Sequence, residues 1–142
     1  IISESGAIIQ YITSKYGNNQ FIPEINSKEF PSYLQWFHYA EGMIMPQMNI
    51  IVVETIFLPP EKRSEVNLAR ATKLLSKMLD VVEKNMENKN YLTGEFSAAD
   101  MMTGHAVIMS KNLGIDFSNK PFLESYIKRL LARPALKKAW SL

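Results

Sequence analysis

Apolar residues recur at helical spacing along almost the whole chain. Ala7, Ile8, Tyr11 and Ile12 fall at i, i+1, i+4 and i+5, the stripe of a helix over residues 4–16. Ser3 or Glu4 starts it and Gly17 stops it; residues 18–26 then read as a loop around Pro23. A long second helix is predicted over residues 27–57. Pro31 is tolerated in its first turn. Pro46 lies deep inside it, removes a donor and clashes with the preceding turn, so a kink is expected there. Pro59 and Pro60 close this helix, and Pro60 opens a third over residues 60–88.

The third helix has the cleanest period. Leu68, Ala71, Leu75, Met78, Val82 and Met86 are spaced 3, 4, 3, 4 and 4, with Glu65, Arg70, Lys73, Lys77, Glu83 and Lys84 opposite. Such a helix packs one face on a partner, and two long neighbours of this kind form an antiparallel pair. After a loop marked by Gly94, a fourth helix starts at Ser97 and ends at Gly114. Ser97 and Asp100 have capping-box spacing: the Ser97 hydroxyl accepts from the amide of residue 100, and the carboxylate reaches back to the Ser97 amide. Loss of such a cap costs about 1 kcal/mol, up to about 2. Phe96 and Met101 are placed as a hydrophobic staple. A fifth helix follows Pro121 and a sixth follows Pro134, with no strand and no internal repeat. The fold class is therefore all-α, a helical bundle.

Composition narrows the chemistry. The 142 residues suit one domain, and the absence of cysteine removes disulfides, thiolate metal sites and a cysteine nucleophile. A net charge of +2 gives no reason to expect nucleic acid or a membrane as partner. No apolar run approaches a membrane span and no leader is visible, so a cytoplasmic protein is expected. No His/Asp/Glu cluster has metal-ligand spacing, and no metal site is expected. The chain begins at Ile1 and runs directly into a helical pattern, which leads one to expect a preceding N-terminal part.

Three stretches, in order, resemble one family. Glu4-Ser5-Gly6-Ala7-Ile8 resembles the junction in cytosolic glutathione transferases where a thioredoxin-like domain enters its final helix. The run from Tyr91 through Gly94 to Asp100 is similar to the loop and cap before the core helix of the family's C-terminal domain. Arg133-Pro134-Ala135-Leu136 is similar to its closing helix, and His38-Tyr39-Ala40-Glu41-Gly42 resembles a bacterial and fungal subgroup. The resemblance covers nearly the whole chain. It implies that residues 1–17 end a thioredoxin-like domain and that residues 18–142 form the all-α C-terminal domain.

The resemblance also implies a site. Alone, Ser3, Glu4 and Ser5 read as helix caps. Within the family, the matching acid and hydroxyl hold the γ-glutamyl end of glutathione. The chemistry suits this: a carboxylate for the ligand's ammonium, a hydroxyl and helix N-terminal amides for its carboxylate. The family's thiol-activating residue lies in the thioredoxin-like domain, so no catalytic residue is assigned here. Glutathione is the implied co-substrate, conjugated to a small hydrophobic electrophile or used to reduce a disulfide or peroxide, in a homodimer built on the first two helices. Tyr39, Met45 and Met48 lie on the stretch that lines the second-substrate pocket in relatives, though methionines in a helical domain are commonly core. The competing reading is a non-catalytic relative that docks protein partners. His105, among Met101, Met102, Ile108 and Met109, reads as a core histidine; His38 reads as an interhelical or surface hydrogen-bonding group. The basic residues between Lys128 and Lys138 read as a solvated face, with Glu124 pairing to Lys128 at i+4.

Overall fold

The computed structural model describes residues 1–18 and 20–141; Asn19, in the predicted 18–26 loop, and the terminal Leu142 lie outside them. Among the described residues the chain is helical without strands: α1 (Ser5–Tyr16), α2 (Phe30–Tyr39), α3 (Met45–Val52), α4 (Glu65–Met86), α5 (His105–Asn112), α6 (Pro121–Ala132) and α7 (Pro134–Trp140). Thr93 and Glu95 form only an isolated bridge. The all-α class is as the periodicity predicts.

The predicted second helix is one continuous rod that starts three residues late, because residues 24–27 close a turn through Ser27 N–H to the Glu24 carbonyl at 2.9 Å. Its Pro46 distortion takes the form of a π-helical turn, Ala40–Ile44, between α2 and α3. Proline offers no amide and crowds the carbonyl four residues back, so the turn before it widens. The Met45 amide accordingly donates to the Ala40 carbonyl, five residues back. A second π-helical turn, Val53–Phe57, ends the rod.

The third helix begins later than the prolines suggest. Pro60–Lys62 forms an isolated 3-10 turn, Arg63 is extended, and α4 starts at Glu65 behind Ser64. The Ser64 hydroxyl accepts from the Asn67 amide at 3.2 Å. Buried Glu54 accepts from the Ser64 amide at 2.7 Å and the Asn67 side chain at 3.2 Å, tying this start to the preceding rod. The Tyr39 hydroxyl meets the Met78 carbonyl while Glu54 meets Ser64, so the two long helices run antiparallel. On α4 the buried face is Ala71, Leu75, Leu79, Val82 and Met86; Leu79 takes the place predicted for Met78, which is half-buried.

Helix α5, entered through a third π-helical turn (Asp100–Gly104), buries Ala106, Val107, Ile108 and Ser110. The Thr103 hydroxyl donates to the Trp36 carbonyl at 2.6 Å, and a Cβ on Gly104 would stand 2.7 Å from Leu130 Cδ1 and 2.8 Å from Tyr126 Oη. Helix α6 packs on α4, and Glu83 of α4 accepts from the first amides of α6, Phe122 at 3.0 Å and Leu123 at 2.7 Å. Buried Lys120 pairs with Asp80 beside them. The basic stretch is not simply a solvated face. Arg129 donates to the carbonyls of Asn90 and Lys89, and Glu124 pairs with Lys111 rather than Lys128.

Helix α1 differs from the rest. Only Thr13 is buried, and Ile9 packs against the core. Most of the predicted stripe faces outward instead: Tyr11 and Ile12 are 46 and 50% exposed, Ala7 is exposed, and Ile8 is half-buried. The helical period was right, but this domain's core touches the neighbouring face.

Candidate functional site

A largely apolar cavity of about 670 Å3 opens between the start of α1, the two facing π-helical turns, and α7. A π-helical turn pushes residues out of the regular ladder and is often found at sites. Here the turns contribute Glu41 on one wall and Met101 and Met102 on the other, with Met45 alongside. The volume falls within the roughly 300–1,000 Å3 typical of small-molecule pockets.

Ser5 sits at the cavity's edge, where its hydroxyl donates to Glu41 Oε1 at 3.0 Å, joining α1 to the long rod. A Cβ on Gly6 would lie 3.7 Å from Met102 Cε and 3.8 Å from Phe37 Cε1, so the first turn of α1 rests directly on the bundle. Glu4 is exposed and holds φ 74° and ψ 118° at the N-cap, with no side-chain capping bond. A glutamate at positive φ is uncommon, and such strain persists where the surroundings impose it.

Of the predicted pocket residues, Met45 lines the cavity. Tyr39 and Met48 do not. The Tyr39 hydroxyl is taken by the Met78 carbonyl at 3.1 Å, and burial pushes its pKa above the ordinary value. Met48 is buried in the core, where its sulfur lies 3.3 Å from the Ser110 hydroxyl. Both point at neighbouring helices, so the methionines of one helix divide between core and cavity.

Asp100 reaches the cavity wall but is 2% exposed. Its carboxylate accepts from the Leu92 amide at 3.0 Å, the Ser97 amide at 2.9 Å and the Tyr126 hydroxyl at 2.6 Å. Half of the predicted capping box has the expected form. In the other half the Ser97 hydroxyl donates to Asp100 Oδ2 at 3.3 Å, and the Asp100 amide donates to the Ser97 carbonyl at 3.0 Å. Burial raises the Asp100 pKa, and its hydrogen bonds pull it partly back. Burial, and then the Asp100 charge, push Tyr126 well above its ordinary value.

Sequence reasoning missed much of the cavity. His105 is exposed at its wall rather than buried, and its ring stands edge-on to Trp140 at 6.2 Å between centroids. His38 is also exposed. Phe96 packs edge-on against Phe21 and Tyr91 and carries the Arg133 guanidinium 3.4 Å above its ring. The 136, 140 spacing on the closing helix could have signalled the wall formed by Leu136 and Trp140, which Arg133 joins from the extended residue before that helix. Helix α5 gave no such signal, because apolar Met101, Met102, Ile108 and Met109 surround His105 in the sequence. Among the described residues no His, Asp or Glu cluster could hold a metal, and no helix is long and apolar enough to cross a membrane.

Antiparallel long helices, a further helix with a capped start and an apolar cavity beside them define an all-α domain with a small-molecule-sized pocket. The family model described as "Glutathione S-transferase, C-terminal domain" matches residues 44–134, and the chain belongs to that family. Among curated relatives, the glutathione S-transferase GstB of Escherichia coli (strain K12) is 21% identical over 139 residues, 97% of this chain and 66% of that protein. A glutathione S-transferase of Hyoscyamus muticus is 28% identical over 145 residues, covering 96% and 67%. The chain thus spans about two thirds of these relatives' length. Among solved structures, a glutathione transferase homolog from Lodderomyces elongisporus, with two glutathione molecules per subunit, superposes with TM-score 0.88 at 20% identity, covering 99% of this chain and 66% of that one. A glutathione transferase from Methylococcus capsulatus gives 0.84 at 26% identity, with the same coverage.

Proposed function

We propose that this chain is the C-terminal part of a glutathione transferase, with Glu4 and Ser5 gripping the γ-glutamyl end of glutathione and the adjoining cavity receiving a small hydrophobic second substrate. The observation that carries the reading is the strained start of α1, where exposed Glu4 precedes Ser5 and Ser5 stands at the edge of an apolar cavity, in a chain of this family. The helix dipole and the first amides of α1 favour the ligand's carboxylate, the Ser5 hydroxyl can turn to it, and Glu4 suits its ammonium. The open apolar stripe of α1 supports residues 1–17 as the last helix of a thioredoxin-like domain, which would cover that stripe and supply the residue that activates the thiol. The thiolate then attacks an electrophile, or reduces a disulfide or peroxide. The protein works in the cytoplasm as a homodimer built on its first two helices.

Retention of the native-length protein on immobilised glutathione tests the reading. The wild type is retained and eluted by free glutathione, and Glu4→Ala passes through. Equal retention of both removes Glu4 from the site; no retention of the wild type removes the site itself.

A further inference from the structure

The cavity's polar wall groups are nearly all engaged with the protein. Ser5 and Glu41 bond each other, Asp100 is filled by amides and hydroxyls, and Arg133 lies flat on Phe96 with one nitrogen 3.4 Å from the Tyr91 hydroxyl. His105 stands apart. It is exposed, it lines the cavity, and among the described residues its aromatic neighbour Trp140 meets it edge-on and no group hydrogen-bonds a ring nitrogen. Along its helix it sits about one turn, roughly 5 Å, beyond Met102, which abuts the first turn of α1. A molecule lying against Met101 and Met102 with one end near α1 therefore presents its other end to His105.

We propose that His105 is the specificity-determining residue of this cavity, selecting ring-bearing apolar molecules that carry a carbonyl or similar acceptor oxygen by donating a ring N–H to it. The inference rests on the reading of the cavity as the second substrate's site. The methionines and aromatic rings accept many flat apolar bodies with little discrimination. A single donor set in such walls supplies the discrimination, because an acceptor oxygen placed there without a partner is penalised, and one placed against the imidazole is satisfied.

The test is a fluorescence titration of this chain, with no glutathione present. Of its two tryptophans, Trp36 is buried at 3% exposure and Trp140 faces the ligand; a Trp140→Phe control assigns the signal. The probes are benzylacetone, butylbenzene, which lacks the oxygen, and phenylbutyrate, which replaces the ketone with an anion. His105→Phe weakens benzylacetone about five- to tenfold and leaves butylbenzene within about twofold, and His105→Gln, which keeps a donor, recovers most of the loss. Equal changes for the two neutral probes overturn the assignment. So does tightest binding of phenylbutyrate with a preference that Arg133→Gln removes, since the cavity then selects anions through Arg133. Circular dichroism confirms that each variant is folded. Because no glutathione is involved, a failed Glu4–Ser5 reading leaves these titrations unchanged, whereas no saturable binding of any probe overturns both the cavity reading and the role of His105.

Discussion

Two helix starts in this chain use the same chemical pair, an acid and a serine, and do opposite things with it. At the entry to α5, Asp100 is buried and takes hydrogen bonds from Ser97, Leu92 and Tyr126. At the entry to α1, Glu4 is exposed at positive φ without a capping bond, and Ser5 reaches across to Glu41 of another helix. Burial makes the difference. A buried carboxylate must be satisfied by the protein itself and so fixes the fold, whereas an exposed one is free to meet a ligand. The first pair is structural, and the second is offered as the binding edge.

The largest expected effect is at Asp100. Asp100→Ala strands the Leu92 and Ser97 amides and the Tyr126 hydroxyl, and a loss of roughly 3–5 kcal/mol in urea unfolding is expected. The pH dependence has a definite sign. Burial raises the folded pKa above the ordinary 3.8, so between those values the native state binds more protons than the unfolded one. The Asp100 contribution to stability is therefore greatest below pH 3.8 and declines as pH rises through the folded pKa. Comparing wild type with Asp100→Asn across acid pH should show that decline only in the wild type.

Gly104 gives a smaller effect on the same side of the comparison. Its missing Cβ lets α5 approach Leu130 and Tyr126, so Gly104→Ala should cost about 1–3 kcal/mol, read from the shift in urea midpoint. Glu4→Gly gives the smallest stability change, with the opposite sign. Relieving φ 74° should leave the midpoint unchanged or raise it by up to about 1 kcal/mol, while removing the carboxylate weakens glutathione binding.

The sequence disclosed the bundle well because amphipathic periods and prolines act locally. Pro46 marked the distortion of the long rod, and the Ala71–Val82 period marked the buried face of α4. Proline misled at residue 60, where Arg63 is extended and Ser64, held by Glu54 from another helix, sets the true start. Periodicity also cannot say what a stripe faces, which is why the α1 stripe points away from this core. The cavity was legible only in part. Met45 and Met48 lie three residues apart in one helix, yet tertiary packing alone sends one to the cavity and the other to the core. His105 looked like core because its sequence neighbours are apolar, and only the placement of α7 shows it lining an open wall.

The division between a fold-fixing pair and a ligand-facing pair is tested most directly by Ser5→Ala in the native-length protein, with unfolding midpoint and calorimetric glutathione affinity taken from the same preparation. The account predicts stability within about 0.5 kcal/mol of wild type and affinity reduced about tenfold or more. Unchanged affinity, with or without a stability loss, would contradict it.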